Sequence, residues 1–205
     1  MNNIYSLLLL VPVVLLAGCI GNPTRPSEFY VLSTHPATPV NSTLAKDAVS
    51  LGLGPLILPE IYDRPQIVTR SEHNRITLAE FNRWGGDLNK DLGRALADNL
   101  MSRLNTDRIV PYPWSRRYDP DFQVTVRLLR FDGVLGENAS LVGIWRVLDA
   151  NKGCELAADR FSFVAETDGP GYPALVSAMS RAVADLSQAM AEQIAIIEPG
   201  CPEHP

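Results

Sequence analysis

The chain has 205 residues, of which 46% are hydrophobic and 20% charged, proportions that suit a folded domain and exclude a disordered, fibrous or multi-span membrane protein. Its formal net charge is −5 and its sequence pI is near 5.2, with no cluster of Lys and Arg. The electrostatic footprint for gripping phosphate backbones is missing, so nucleic acid is not expected among its partners.

Residues Met1 to Gly18 read apart from the rest. Leu7 to Ala17 is an apolar run of signal-peptide length, too short to span a bilayer as a helix, although Met1-Asn2-Asn3 supplies no Lys or Arg before it. Directly after it, Leu16-Ala17-Gly18-Cys19 resembles the lipobox of bacterial lipoproteins. That resemblance implies export, cleavage before Cys19 and covalent diacylglyceryl and N-acyl groups on its sulfur and amine, with no other cofactor expected. Each buried CH₂ contributes about 0.8 kcal/mol, so three acyl chains hold a protein on a bilayer for practical purposes permanently. Ile20 stands where an inner-membrane lipoprotein of enteric bacteria typically carries Asp, which favours sorting to the outer membrane, on its periplasmic face.

Residues 19–27 form the lipidated tether, because Ile20 to Ser27 has two prolines and no apolar periodicity. The domain is expected over 28–197. Phe29-Tyr30-Val31-Leu32 predicts a first strand near 28–33, followed by a loop from His35 to Lys46. Ala48 to Gly54 alternates in period two and predicts a second strand that stops at Pro55. After a loop from Pro59 to Pro65, Gln66–Arg70 and Arg75–Ala79 flank Ser71-Glu72-His73-Asn74 as a hairpin.

From Asp87 the period changes. Leu88, Leu92, Leu96, Leu100 and Leu104 recur every four residues with charges elsewhere, which predicts an amphipathic helix capped or charged at its start by Asp87. Beyond the short Arg108–Tyr112 segment, Phe122, Val124, Val126 and Leu128 alternate with polar residues until the pattern slips at Leu129-Arg130-Phe131, where a bulge is expected. Leu141 to Leu148 is apolar on both faces, as in a central strand, and Asp149 to Gly153 supplies a turn before the alternating Arg160–Ala165. Leu175, Val176, Met179, Val183, Leu186, Met190, Ile194 and Ile197 keep helical spacing from Pro173 to Ile197, and 198–205 is a Pro-rich tail. The expected fold is α+β, an α/β sandwich with two long amphipathic helices packed on an antiparallel or mixed sheet of six or seven strands.

No catalytic constellation is present. His35, His73 and His204 have no Cys or carboxylate beside them at metal-ligand spacing, and there is no Gly-x-Ser-x-Gly elbow or Gly-rich phosphate loop. Neither an enzyme nor a metal site is expected. The leucine and methionine stripes read as core faces. Tyr62, Trp84, Tyr112 and Trp114 fall in or beside predicted loops, where large aromatics anchor protein contacts, and Arg64, with Arg70, Arg75 and Arg83 nearby, offers charges for an acidic partner. Cys154 and Cys201 either pair, pinning the tail to a strand end, or remain thiols.

The run Leu58-Pro59-Glu60-Ile61-Tyr62-Asp63-Arg64-Pro65-Gln66-Ile67-Val68-Thr69-Arg70 and the Arg83-Trp84-Gly85-Gly86-Asp87-Leu88 entry to the leucine helix resemble the ABC-type transport auxiliary lipoproteins, also called the paraquat-inducible C family. Phe131-Asp132-Gly133, the Gly143-Ile144-Trp145 strand and the last helix are similar too. This resemblance implies a periplasmic domain at the outer membrane whose partner is a membrane-spanning MCE-domain protein, a conduit for lipids or other apolar molecules, and through it an inner-membrane permease. Two other roles fit the same composition: a periplasmic lipid-binding shuttle, or an assembly lipoprotein for an outer-membrane barrel or secretin.

Overall fold

The computed structural model describes residues 25–35, 38–40, 50–71, 74–115, 118–197 and 200–201. Cys19, the apolar run before it, His73 and His204 lie outside them. Among the described residues there are eight strands and two helices. In chain order these are β1 (Glu28–Tyr30), β2 (Leu51–Ile57), β3 (Gln66–Arg70), β4 (Ile76–Trp84), α1 (Leu88–Leu104), β5 (Ile109–Pro111), β6 (Phe122–Val134), β7 (Asn138–Asp149), β8 (Glu155–Glu166) and α2 (Tyr172–Ile194).

The fold is α+β with two helices packed on mixed sheet, as expected, and its strands are divided between two sheets where a single sheet of six or seven had been expected. A five-stranded sheet has the order β5-β2-β6-β7-β8, and a three-stranded one the order β1-β4-β3. Both are mixed: β2 runs parallel to β5 and β6, β1 runs parallel to β4, and the remaining pairs are antiparallel. The division has a geometric cause. β2 pairs with β6 only as far as Arg127, while β6 continues to Val134, and β3 packs against that exposed length.

Both helices cover one face of the larger sheet. The leucine stripe of α1 is buried throughout, from 3% exposure at Leu88 to 0% at Leu104, and faces the apolar stripe of α2. At about 2 kcal/mol for each buried leucine, α1 alone removes on the order of 10 kcal/mol of apolar surface from water. Asp87 is the N-cap, accepting from the Lys90 N–H at 3.0 Å, and Asn105 ends the helix in the left-handed region at φ 51°. α2 stops at Ile194, three residues before the expected end, and Ile197 packs on the core just beyond it.

Three boundaries depart from the sequence reading for identifiable reasons. β1 ends at Tyr30 because the next residues give their backbone to the helices: Leu32 N–H donates to Asp91 (2.7 Å), Ser33 N–H to Ser180 (3.1 Å) and His35 N–H to Asn99 (3.0 Å). The chain becomes a strap across α1 and α2 instead of a strand. β2 continues through Pro55 to Ile57 because its register with β6 slips between Leu53 and Leu56, so the missing proline N–H falls where the ladder is already broken. β8 begins at Glu155, five residues earlier than expected, since β7 pairs along its whole length.

The slip expected near Leu129 is present, between Leu128 and Arg130, and Leu129 is left 47% exposed. Asp149 Oδ1 accepts from the N–H groups of Asn151 and Lys152 and closes the β7–β8 turn. A disulfide joins Cys154, at the mouth of β8, to Cys201 beyond α2.

Candidate partner-docking site

The five side chains singled out as candidate contacts do not share one environment. Tyr62 and Trp84 are 3% and 4% exposed and belong to the core. Trp84 stacks on Phe131 with ring centroids 6.3 Å apart, so neither ring is offered to a partner. Both stand at loop edges in the sequence, but the small sheet folds those edges over β6. Arg64 is half-buried, with its Nε buried and without a hydrogen-bond partner among the described residues.

Tyr62 ends on a charged centre that the sequence reading did not single out. Its hydroxyl donates to Asp132 Oδ2 at 2.9 Å, and Arg70 donates to the same oxygen through Nε (3.0 Å) and Nη2 (2.8 Å). Arg130 Nε donates to Oδ1 at 2.6 Å. The carboxylate is completely buried, while its two arginines keep about a third of their side-chain surface in water. An ionised group with no solvent of its own survives only when its lone pairs are filled, and here they are. Asp132 thereby clamps β3 and the loop before it onto β6. A carboxylate set between Phe131 and Gly133 was the available signal, but nothing local in the sequence names its partners.

Tyr112 and Trp114 are brought together in a different place. Tyr112 is 57% exposed and meets Trp114 edge to face at 5.3 Å, and Trp114 meets Tyr118 at 6.1 Å. The alternation of β2 makes room for them. A Cβ at Gly52 would lie 2.8 Å from the Trp114 ring, and one at Gly54, whose φ is +131°, would lie 2.5 Å from Tyr112 Cβ. Tyr112 N–H also donates to Leu53 O at 2.8 Å, and Tyr118 Oη donates to Leu51 O at 3.2 Å. The exposed ring of Tyr112 forms one wall of a cleft of about 470 Å³ between the β2–β5 edge and the start of α1. Pro55, Pro111 and Pro113 supply apolar wall, and Asp63, Asp87, Asn89, Lys90 and Arg94 supply a polar rim. Rigid aromatic and proline surface beside mixed charge is the composition of a protein-contact patch. Among the described residues no cluster of three His, Cys, Asp or Glu gathers to hold a metal, and no helix is long and apolar enough to cross a membrane.

A family model described as the ABC-type transport auxiliary lipoprotein component matches residues 30–191. The chain belongs to that family. The match runs from β1 almost to the end of α2, so it takes in both sheets, both helices and the cleft. No curated protein matches the sequence. Two solved structures share the fold of this auxiliary lipoprotein. One, described only as an uncharacterized protein, superposes with a TM-score of 0.69 at 18% identity over 83% of this chain and 99% of its own. The other, protein XCC0632 from Xanthomonas campestris, gives 0.66 at 14% identity over 82% of this chain and 95% of its own.

Three tyrosines of the auxiliary lipoprotein hold their protons above the ordinary tyrosine value of 10.0. Burial, followed by the hydrogen bond and charge of Glu28, pushes Tyr30 up to about 12. Burial and then the bond to Asp132 raise Tyr62, and burial raises Tyr118. The folded protein therefore keeps protons that the unfolded chain releases, so this stabilisation is whole below pH 10 and is lost as pH rises further, for Tyr30 through about 12. Tyrosinate absorbance should show these three ionising late, and the denaturant midpoint should fall from pH 10 upward. Tyr62→Phe should remove one late ionisation.

Proposed function

We propose that this auxiliary lipoprotein is held by acyl chains on Cys19 at the periplasmic face of the outer membrane, where it docks an MCE-domain protein. In this reading the MCE protein conducts lipids or other apolar molecules between the membranes, with an inner-membrane permease at its far end. The observation that carries it is the match over residues 30–191, which puts the chain among transport auxiliary components that carry a lipid. A component of that kind needs two parts, an attachment and a recognition surface. Cys19 is the proposed attachment, and the Tyr112 cleft is the proposed recognition surface, since its ring remains exposed although apolar.

A load on the tether enters at β1, passes by its parallel pairing to β4 and then to β3, and reaches the large sheet through Asp132. The strap from Leu32 to His35 ties the same entry point to both helices.

Affinity capture of the lipidated protein from native membranes tests the reading. The expected result is recovery of an MCE-domain protein, reduced about thirtyfold in affinity by Tyr112→Ala, the roughly 2 kcal/mol of an aromatic contact at the centre of an interface. Recovery of no MCE protein would remove the transport assignment. Unchanged recovery with Tyr112→Ala would remove the cleft. Cys19→Ser should abolish membrane fractionation and the incorporation of labelled palmitate.

A further inference from the structure

The helices cover one face of the five-stranded sheet, and the opposite face carries a pattern that the core does not explain. Strand pairing places Ile57, Arg127, Ile144 and Arg160 in one row across β2, β6, β7 and β8. Cross-strand partners share a face and lie about 5 Å apart, so apolar and cationic side chains alternate along this row. The row on one side holds Thr125 opposite Arg146, and the row on the other holds Arg130 opposite Val142. Three adjacent rows thus present four arginines and no carboxylate, on a chain whose net charge is −5.

The partners of these arginines sharpen the point. Arg130 is committed to Asp132, and Arg146 makes an exposed ion pair with Glu155 at 3.2 Å, both in the next rows out. Such an exposed pair contributes little and exchanges readily. Arg127 and Arg160 are exposed and have no ion pair among the described residues. Between the guanidinium groups lies a shallow depression of about 380 Å³, floored by Pro55, Ile57 and Ile144 and flanked by Arg127 and Arg146. Ile57 keeps 45% of its surface in water there.

We propose that this sheet face binds the head groups of anionic phospholipids, so that the anchored domain lies against the bilayer surface through Arg127, Arg146 and Arg160. A guanidinium grips a phosphate with paired donors, and an isoleucine between two of them meets the apolar edge of the head-group layer. An acidic protein would satisfy the arginines, but it gives the apolar half of the row no reason to be exposed. A lipoprotein domain also remains within a short tether's reach of a membrane, where each arginine near an anionic surface contributes about 1 kcal/mol. The proposal rests on the anchoring reading above, and its test separates the two.

The full lipidated protein is placed in vesicles of phosphatidylcholine, or of phosphatidylcholine with phosphatidylglycerol, both carrying a head-group quencher. With Cys19 acylated and Cys154 bridged to Cys201, a Ser162→Cys variant has one free thiol, next to the arginine rows, for a fluorophore. The expected result is strong quenching in anionic vesicles and little in neutral ones, reversed by high salt. Replacing Arg127 and Arg160 by Ala should lower the ratio of docked to undocked domain roughly thirtyfold. Equal quenching in both vesicles, or no effect of the replacements, would overturn the proposal, as would quencher contact that appears only when an acidic partner protein is added. Flotation with neutral vesicles reads the anchor by itself. Flotation with anionic vesicles alone would remove the anchor and leave the sheet face standing.

Discussion

Asp132→Ala is expected to destabilise the domain by about 3 kcal/mol, the cost of removing one partner from a buried ionic centre. The wild-type carboxylate is fully buried and accepts from Arg70, Arg130 and Tyr62. Its removal leaves the Tyr62 hydroxyl buried without an acceptor and a small cavity beside β6. Both arginines retain a path to water, which keeps the figure below that of a wholly enclosed pair. Urea unfolding at neutral pH measures the effect. Arg70→Ala should cost less on its own, and the double variant should cost clearly less than the two singles added, because the groups act as one unit. Additive losses would show that Asp132 does not bind Arg70 in solution. The functional consequence concerns the tether: with the clamp gone, β3 loses its polar tie to β6, and the small sheet is held to the large one only by apolar packing such as that of Trp84 on Phe131. Capture of a partner under tension should then suffer more than capture in detergent.

Cys201→Ser should lower stability by up to about 4 kcal/mol, the loop-closure value for a bridge spanning 47 residues. The closed loop contains β8 and α2, so the bridge restricts the unfolded chain over a large part of the domain. Denaturant midpoints with and without reductant check it. Reductant should bring the wild type down to the level of Cys201→Ser and leave that variant unchanged, and the exposed Cys201 gives it access. A reductant effect of equal size on both proteins would refute the assignment. The bridge holds the end of α2 to the β7–β8 turn and neither cysteine lines the Tyr112 cleft, so binding at the cleft should persist in the reduced protein while it remains folded.

Much of the architecture is legible in periodicity. The leucines of α1 fall every four residues and all end in the core, because a helix on a sheet has one dry stripe and the chain must place its apolar residues there. The slip at Leu129 was visible for a related reason: an alternating strand can change phase only where an extra residue enters. Pro55 misleads because proline is a stop signal only where its missing N–H is needed, and that depends on the neighbouring strand's register. Tyr62 and Trp84 mislead because a loop edge in one dimension can be a core position once a second sheet closes over it.

Local order in the sequence determined the two helices, the β7–β8 hairpin and the expectation of a lipid on Cys19, since each is encoded within a short stretch of chain, while the family rests on motifs spread over residues 30–191. The tertiary structure alone decided that Asp132 gathers Arg70, Arg130 and Tyr62, and that Tyr112 stands exposed while Trp84 is enclosed. It also decided that arginines from three strands line up across one face. These depend on which strands become neighbours and in what register, and register is a property of packed strands that no single segment contains.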